Sequence, residues 1–139
     1  MRIRYVELQD REYWMNVDTH ANQEGFTNRV LTKTGYVMLD DDCPVGVLWY
    51  CVLWDNLPLL NFLYVSEEHR RKGHAAEAMA QWEREMKSRG YRMLMTSTQV
   101  DESAQAFYRK LGYTDCGGLV FADTPFHQPM ELFLRKVLT

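Results

Sequence analysis

The sequence predicts an α+β domain: a mixed, mostly antiparallel sheet of six or seven strands flanked by about four helices. Three observations predict it. Short β-rich apolar segments interleave along the chain with segments in which apolar residues recur every three or four residues. Turn chemistry separates neighbouring β-rich segments, at Asp40–Pro44 and at Asp55-Asn56. Finally, 139 residues with 46% apolar and 25% charged are enough to bury one core, so a single domain over residues 1–139 is expected.

Arg2–Glu7 reads as a short strand, and Asp10 to about Leu31 as two short helices with a mobile joint at Glu24-Gly25. Gly35–Leu39 and Val45–Trp54 are β-rich and form a hairpin across the Asp40–Pro44 turn. Leu57–Val65 extends them into an antiparallel meander. Arg71–Arg89 is the clearest helix: Ala75, Met79, Trp82 and Met86 make one apolar stripe, and Gly90 ends it. Tyr91–Thr96 follows a helix and is therefore expected to lie parallel to Leu57–Val65 through a right-handed crossover. Asp101–Leu111 is a second helix, with Asp101 as N-cap, Ala104, Phe107, Tyr108 and Leu111 on one face, and Gly112 as its stop. Tyr113–Phe121 and Met130–Val137 close the order β-αα-βββ-α-β-α-ββ.

Composition excludes several classes. The longest apolar stretch, Val45–Trp54, falls well short of the ~18–20 residues a membrane span needs, and Met1–Tyr5 reads as a strand rather than a leader. A net charge of −3 argues against a nucleic-acid partner. Cys43, Cys51 and Cys116 cannot all pair and suit a reducing, cytoplasmic setting. Cys51 and Cys116 read as small apolar positions, and Trp49, Tyr50 and Trp54 as strand residues of core and sheet surface. His20, His69, His74 and His127 lack the spacing of metal ligands, so no metal is expected, and Asp40-Asp41-Asp42 reads as a turn.

The segment with chemical content is Leu63 to Ala76. A strand ends, a polar loop follows, and a helix begins in a cluster of basic and small residues. A helix start carries unpaired N–H groups and about half a positive charge, so Arg70, Arg71 and Lys72 at the same end cost a few tenths of a kcal/mol each unless an anion is present. Gly73 and Ala75 remove bulk, so an anion can reach the N–H groups. A diphosphate fits such a cradle. The plainer alternative is a solvated basic face with a turn glycine.

Arg70-Arg71-Lys72-Gly73-His74-Ala75 resembles the Arg/Gln-x-x-Gly-x-Gly/Ala signature of the GNAT superfamily of acyl-coenzyme A N-acyltransferases. Upstream Leu63-x-Val65 and downstream Ala104-x-x-Phe107-Tyr108-x-x-Leu111-Gly112-Tyr113 match in order and distance. Departures are Glu67 for a frequent Pro, Arg71 for Gly, Ala75 for Gly, and Asp101 for a common Asn. The resemblance implies two splayed parallel central strands. It also implies acetyl-CoA as cosubstrate, with its pantetheine arm against the backbone of Leu63, Tyr64 and Val65. The amides of Arg71, Lys72, Gly73, His74, Ala75 and Ala76, beside Arg70, would then hold the pyrophosphate. A backbone N–H near Leu63 would stabilise the oxyanion. Tyr108 would protonate the departing thiolate, since a phenol is protonated at neutral pH; packing beside Phe107 is its plainer role.

The expected function is transfer of an acetyl group from acetyl-CoA to a primary amine, on a small molecule or a peptide, by direct attack in a ternary complex. The competing expectation is a non-catalytic coenzyme A-binding or regulatory module, motivated by Asp101 and by the lack of an evident base. Asn61 and Tyr64 could orient a water, and Glu24 or Asp55 could relay a proton. The acceptor is expected at His20–Val30 and Ala122–Pro129, where Glu24 and Asp123 could meet the amine and Phe26, Phe126 and His127 could wall it. Family resemblance also allows a homodimer.

Overall fold

The chain order, in a computed structural model that describes residues 1–139, is β1 (Arg2–Tyr5), α1 (Arg11–Val17), α2 (Gln23–Thr32), β2 (Gly35–Asp40), β3 (Cys43–Leu53), β4 (Leu57–Val65), α3 (His74–Ser88), β5 (Met93–Gln99), α4 (Ala104–Lys110), β6 (Thr114–Leu119) and β7 (Glu131–Val137). The strands form a seven-stranded sheet ordered β1-β2-β3-β4-β5-β7-β6. It is the predicted α+β arrangement, with the parallel pair β4–β5 at its centre. That pair has only two registered positions, Leu59↔Met95 and Leu60↔Thr96, although β4 runs on to Val65 and β5 to Gln99. The residues divide into two compact units: Met1–Cys51 with Asn61–Trp82, and Val52–Leu60 with Glu83–Thr139.

In the first unit, β2 is buried almost throughout, so it reads as a continuous apolar run, Tyr-Val-Met-Leu, rather than an alternation. Val37, Leu39 and Val47 pack with Val6, Trp14 and Phe26 on the side of α1 and α2. Trp14 and Phe26 meet edge-on at 6.0 Å, and truncating a buried Trp of this kind to Ala costs about 3–5 kcal/mol. Tyr50 packs at a tilt against Trp82, ring centroids 5.6 Å apart, and the α3 stripe read from the sequence does bury Met79 and Trp82. The β2–β3 connection is Asp41-Asp42, both at positive φ, as a tight hairpin of right-handed twist requires. Gly46 lies where a Cβ would come within 2.4 Å of the Tyr64 carbonyl oxygen, so glycine alone lets β3 approach the end of β4.

In the second unit, β5 buries every other residue: Leu94, Thr96 and Thr98. It pairs antiparallel with β7, which buries Leu132 and Leu134, and β6 forms the exposed outer edge. Glu83 accepts hydrogen bonds from the Tyr113 hydroxyl (2.9 Å) and the Lys136 ammonium (2.8 Å). Burial, followed by the Glu83 charge, holds the Tyr113 phenol far above its ordinary value.

Several boundaries differ from expectation, each for a local reason. The break between α1 and α2 falls at residues 18–22, not at Glu24-Gly25. Gly25 lies in the first turn of α2, and its N–H is capped by the Asn22 side chain at 2.7 Å. α3 begins at His74 because Arg71 and Gly73 both take positive φ, which a helix cannot include. β5 is displaced to Met93–Gln99, where it can pair along its whole length with β7. α4 begins only at Ala104, and Ser103, not Asp101, occupies the N-cap position without a side-chain cap bond. Trp54 is not a strand residue: it sits in the β3–β4 turn at positive φ and is 79% exposed. Cys116 is exposed rather than an apolar core position.

Candidate active site

The predicted cradle stands at the end of β4 in the first unit. Val65 is buried, and Leu63 and Tyr64 are half-buried. The Val65 carbonyl oxygen accepts a bond from Arg70 Nε (2.7 Å), and the guanidinium lies over the Tyr64 ring at 5.7 Å. Arg70 therefore fastens the loop back onto the strand it has just left. Ser66 N–H donates to the Val45 carbonyl (2.8 Å), and Ser66 Oγ contacts His69 Nδ1 (2.8 Å), which fixes the start of the same loop.

Beyond this tether the backbone turns at Arg71 (φ 62°) and Gly73 (φ 82°) and enters α3. The Gly73 carbonyl accepts from Glu77 N–H at 3.0 Å, so the N–H groups of the preceding helical residues, His74 to Ala76, have no acceptor within the helix. A Cβ on Gly73 would meet nothing within 4 Å, which leaves the approach to these groups open. Arg71 and Lys72 are exposed beside them. His74 is nearly buried, its Nε2 is 4.0 Å from Asp40 Oδ2, and neither ring nitrogen makes a hydrogen bond. Open N–H groups and cationic side chains suit an anion.

In the second unit Tyr108 is 7% exposed on α4 and packs edge-on against Phe107 and Tyr113. Burial pushes its phenol above the ordinary value, which the nearby Thr96 hydroxyl partly opposes and Glu102 reinforces. Thr96 Oγ1 is itself fully buried and forms no regular hydrogen bond. Tyr108 is thus protonated at neutral pH, the state a proton donor requires.

The acceptor residues are divided by the fold. In the first unit a cavity of about 290 Å³ lies among α1, α2, β3 and β4, and Phe26 and Asn61 line it, but Glu24 does not. Asp55, at positive φ in the β3–β4 turn, and Asp123, Phe126 and His127 belong to the second unit; Phe126 is 75% exposed, and His127 Nδ1 accepts from Asp123 N–H (3.1 Å). The residues that sequence reading missed are Trp14, Asp18, Arg29 and Trp49, all on the cavity wall. One signal could have found Arg29: at three residues from Phe26 it occupies the helix face that spacing reserves for apolar side chains.

The comparisons agree with this architecture. The model of the acetyltransferase (GNAT) family matches residues 3–113, and the chain belongs to that family. Among solved structures, a ribosomal-protein-alanine N-acetyltransferase from Brucella melitensis superposes with a TM-score of 0.81 at 20% identity, covering 99% of this chain and 100% of that one. YncA, a putative acetyltransferase from Salmonella typhimurium with its cofactor acetyl-CoA, gives 0.81 at 15% identity, over 100% and 94% of the two chains. Arabidopsis thaliana Naa50, in complex with the bisubstrate analogue CoA-Ac-MVNAL, gives 0.83 at 11% identity, over 99% and 98%. At these identities the likeness establishes the fold. A search of curated protein sequences finds no significant match. No helix is long and apolar enough to cross a membrane, and no group of three or more His, Cys, Asp or Glu side chains is placed to hold a metal ion.

Proposed function

We propose that the chain, acting as one domain over residues 1–139, is an N-acetyltransferase that moves an acetyl group from acetyl-CoA to a primary amine by direct attack. The observation that carries this reading is the open cradle at Arg71–Ala76, with unpaired N–H groups and no atom covering Gly73. Open N–H groups at a helix start suit the charge of a diphosphate. Family membership narrows the diphosphate to that of a coenzyme A thioester. That CoA and acetyl-CoA accompany neighbours of the same fold supports the choice.

Acetyl-CoA brings the activated acetyl group; the chain's residues bind, orient and move a proton. Arg70, bonded to Val65, holds the loop in register with β4. Arg71 to Ala76 receive the phosphates. The backbone of Leu63, Tyr64 and Val65 offers N–H and C=O groups to an extended amide-bearing arm, and an N–H near Leu63 serves the developing oxyanion. As the carbon–nitrogen bond forms and the carbon–sulfur bond breaks, Tyr108 gives its phenolic proton to the departing sulfur, and the proton lost by the amine passes to water. No base is assigned.

The test is Tyr108→Phe. Turnover should fall about 100-fold, the usual scale for loss of a positioned acid, while the affinity for coenzyme A changes less than about twofold. Because burial raises the Tyr108 phenol, the wild-type rate should show no loss of this proton below about pH 10. An unchanged rate in the variant removes Tyr108 from the mechanism. Coenzyme A binding by calorimetry with no transfer to any of a diverse amine panel would instead identify a non-catalytic binding module.

A further inference from the structure

The cavity in the first unit holds two charged side chains that the protein itself does not neutralise. Asp18 is only 6% exposed, yet no cationic side chain reaches it. Its oxygens accept two bonds, from His20 N–H (3.2 Å) and Trp49 Nε1–H (3.3 Å), both at the long end of the range. An ionised carboxylate has room for about four. Arg29 is half-buried and has no acidic partner. It stacks over the Trp49 ring at 4.4 Å and donates to the carbonyls of Gly25 (3.3 Å) and Tyr50 (3.2 Å), leaving most of its N–H groups unclaimed. Burial lowers its pKa, an effect that the nearby Cys51 partly opposes.

A carboxylate and a guanidinium that share a recess without an ion pair between them each lose hydration that the other's opposite charge only partly offsets. The loss is recovered when a ligand supplies both counter-charges. Trp49 places the two groups close to a common point, since it bonds Asp18 through its indole N–H and carries Arg29 on its face. Trp14, Phe26 and Phe62 add aromatic wall, and His20, Asn22 and Asn61 add neutral or titratable polar groups beside them. A cavity of about 290 Å³ lies at the small end of the ~300–1,000 Å³ range of ligand pockets, so it suits a compact metabolite.

We propose that this cavity binds a free amino acid or closely similar zwitterion, its carboxylate on Arg29, its ammonium on Asp18 and its apolar side chain against Trp14, Phe26 and Trp49. Only its further role as the acetyl acceptor rests on the acetyltransferase reading above. The site distinguishes a free amino acid from a peptide N-terminus, which brings the ammonium but no adjacent carboxylate, and from a simple alkylamine for the same reason.

The experiment is calorimetric titration of the full chain, without acetyl-CoA, with L-phenylalanine and L-methionine. Phenethylamine, 3-phenylpropanoate and L-phenylalaninamide each remove one charge from L-phenylalanine. Saturable binding of at least one amino acid is expected, with each one-charge analogue of L-phenylalanine, where that is the ligand, at least tenfold weaker. Arg29→Gln should abolish the preference over phenethylamine and L-phenylalaninamide, and Asp18→Asn the preference over 3-phenylpropanoate. Should either variant fail to fold, the wild-type panel decides. Equal binding of phenethylamine or the amide, or no binding of either amino acid at millimolar concentration, overturns the proposal. Failure here with acetyl transfer to other amines intact would leave the acetyltransferase reading standing. Binding without transfer would leave the cavity an amino-acid site and sink the acceptor role alone.

Discussion

The cradle at the start of α3 and the cavity beside α2 lie in one unit but are built on opposite plans. The cradle is backbone: its shape comes from two residues at positive φ, its polarity from peptide N–H groups, and its charge from exposed side chains. The cavity is side chain, with its charges half-buried or buried and its walls a mix of aromatic and polar groups. The lesson is that the two should fail differently. A backbone site is broken by changing conformation, and a side-chain site by removing one group.

The largest effect should come from Gly73→Val. A β-branched residue at φ 82° costs on the order of 1–3 kcal/mol and plants a side chain where the approach is open. Coenzyme A affinity measured by calorimetry should fall roughly 10- to 100-fold, with cavity ligands unaffected. Equal losses at both places would break the distinction.

A second contrast sets paired charge against unpaired charge within the same unit. Asp10 meets Arg4 in a two-bond arrangement (2.7 and 3.0 Å) and accepts Glu7 N–H (2.8 Å). Burial alone would raise its pKa, but these bonds reverse the direction and lower it. A depressed folded pKa means stabilisation present above the unfolded value of about 3.9 and lost as pH falls through the folded one. Asp10→Asn should cost on the order of 1–2 kcal/mol in urea unfolding at pH 7, and the difference from wild type should shrink below about pH 4. Arg29→Gln, which removes a cation without a carboxylate partner, should cost less than Asp10→Asn. If it costs more, Arg29 is a structural strut and the reading of the cavity weakens.

The smallest effects sharpen the electrostatics. Arg71→Ala and Lys72→Ala should each weaken coenzyme A only a few-fold, since both side chains are exposed. Raising ionic strength toward 1 M should weaken coenzyme A binding steadily and affect cavity ligands far less. Parallel salt dependence at the two sites would contradict their different burial.

What could be read from the residues follows the same division. The order of strands and helices, the α3 stripe and the open turn into α3 were legible because each depends on local spacing: Met79-x-x-Trp82, or Gly73 between basic and small residues. Boundaries failed where tertiary pairing decides. β5 slid to match β7 over its full length, and α4 started late without Asp101 as its cap. The cavity was illegible because Asp18, Arg29, Trp49 and Phe62 come from four separate segments. Nothing in their spacing announces that an unpaired carboxylate and an unpaired guanidinium will share one tryptophan. Arg29 alone left a trace, as a cation on an apolar helix face.

The central claim is that the N–H groups opening α3 receive a nucleotide diphosphate, and amide resonances report on it directly. In a titration of ¹⁵N-labelled protein with coenzyme A, the largest shifts should fall on Arg71 to Ala76, while pantetheine, which carries no phosphate, should leave them nearly unmoved. Saturation with coenzyme A that leaves those six amides in place would contradict the account.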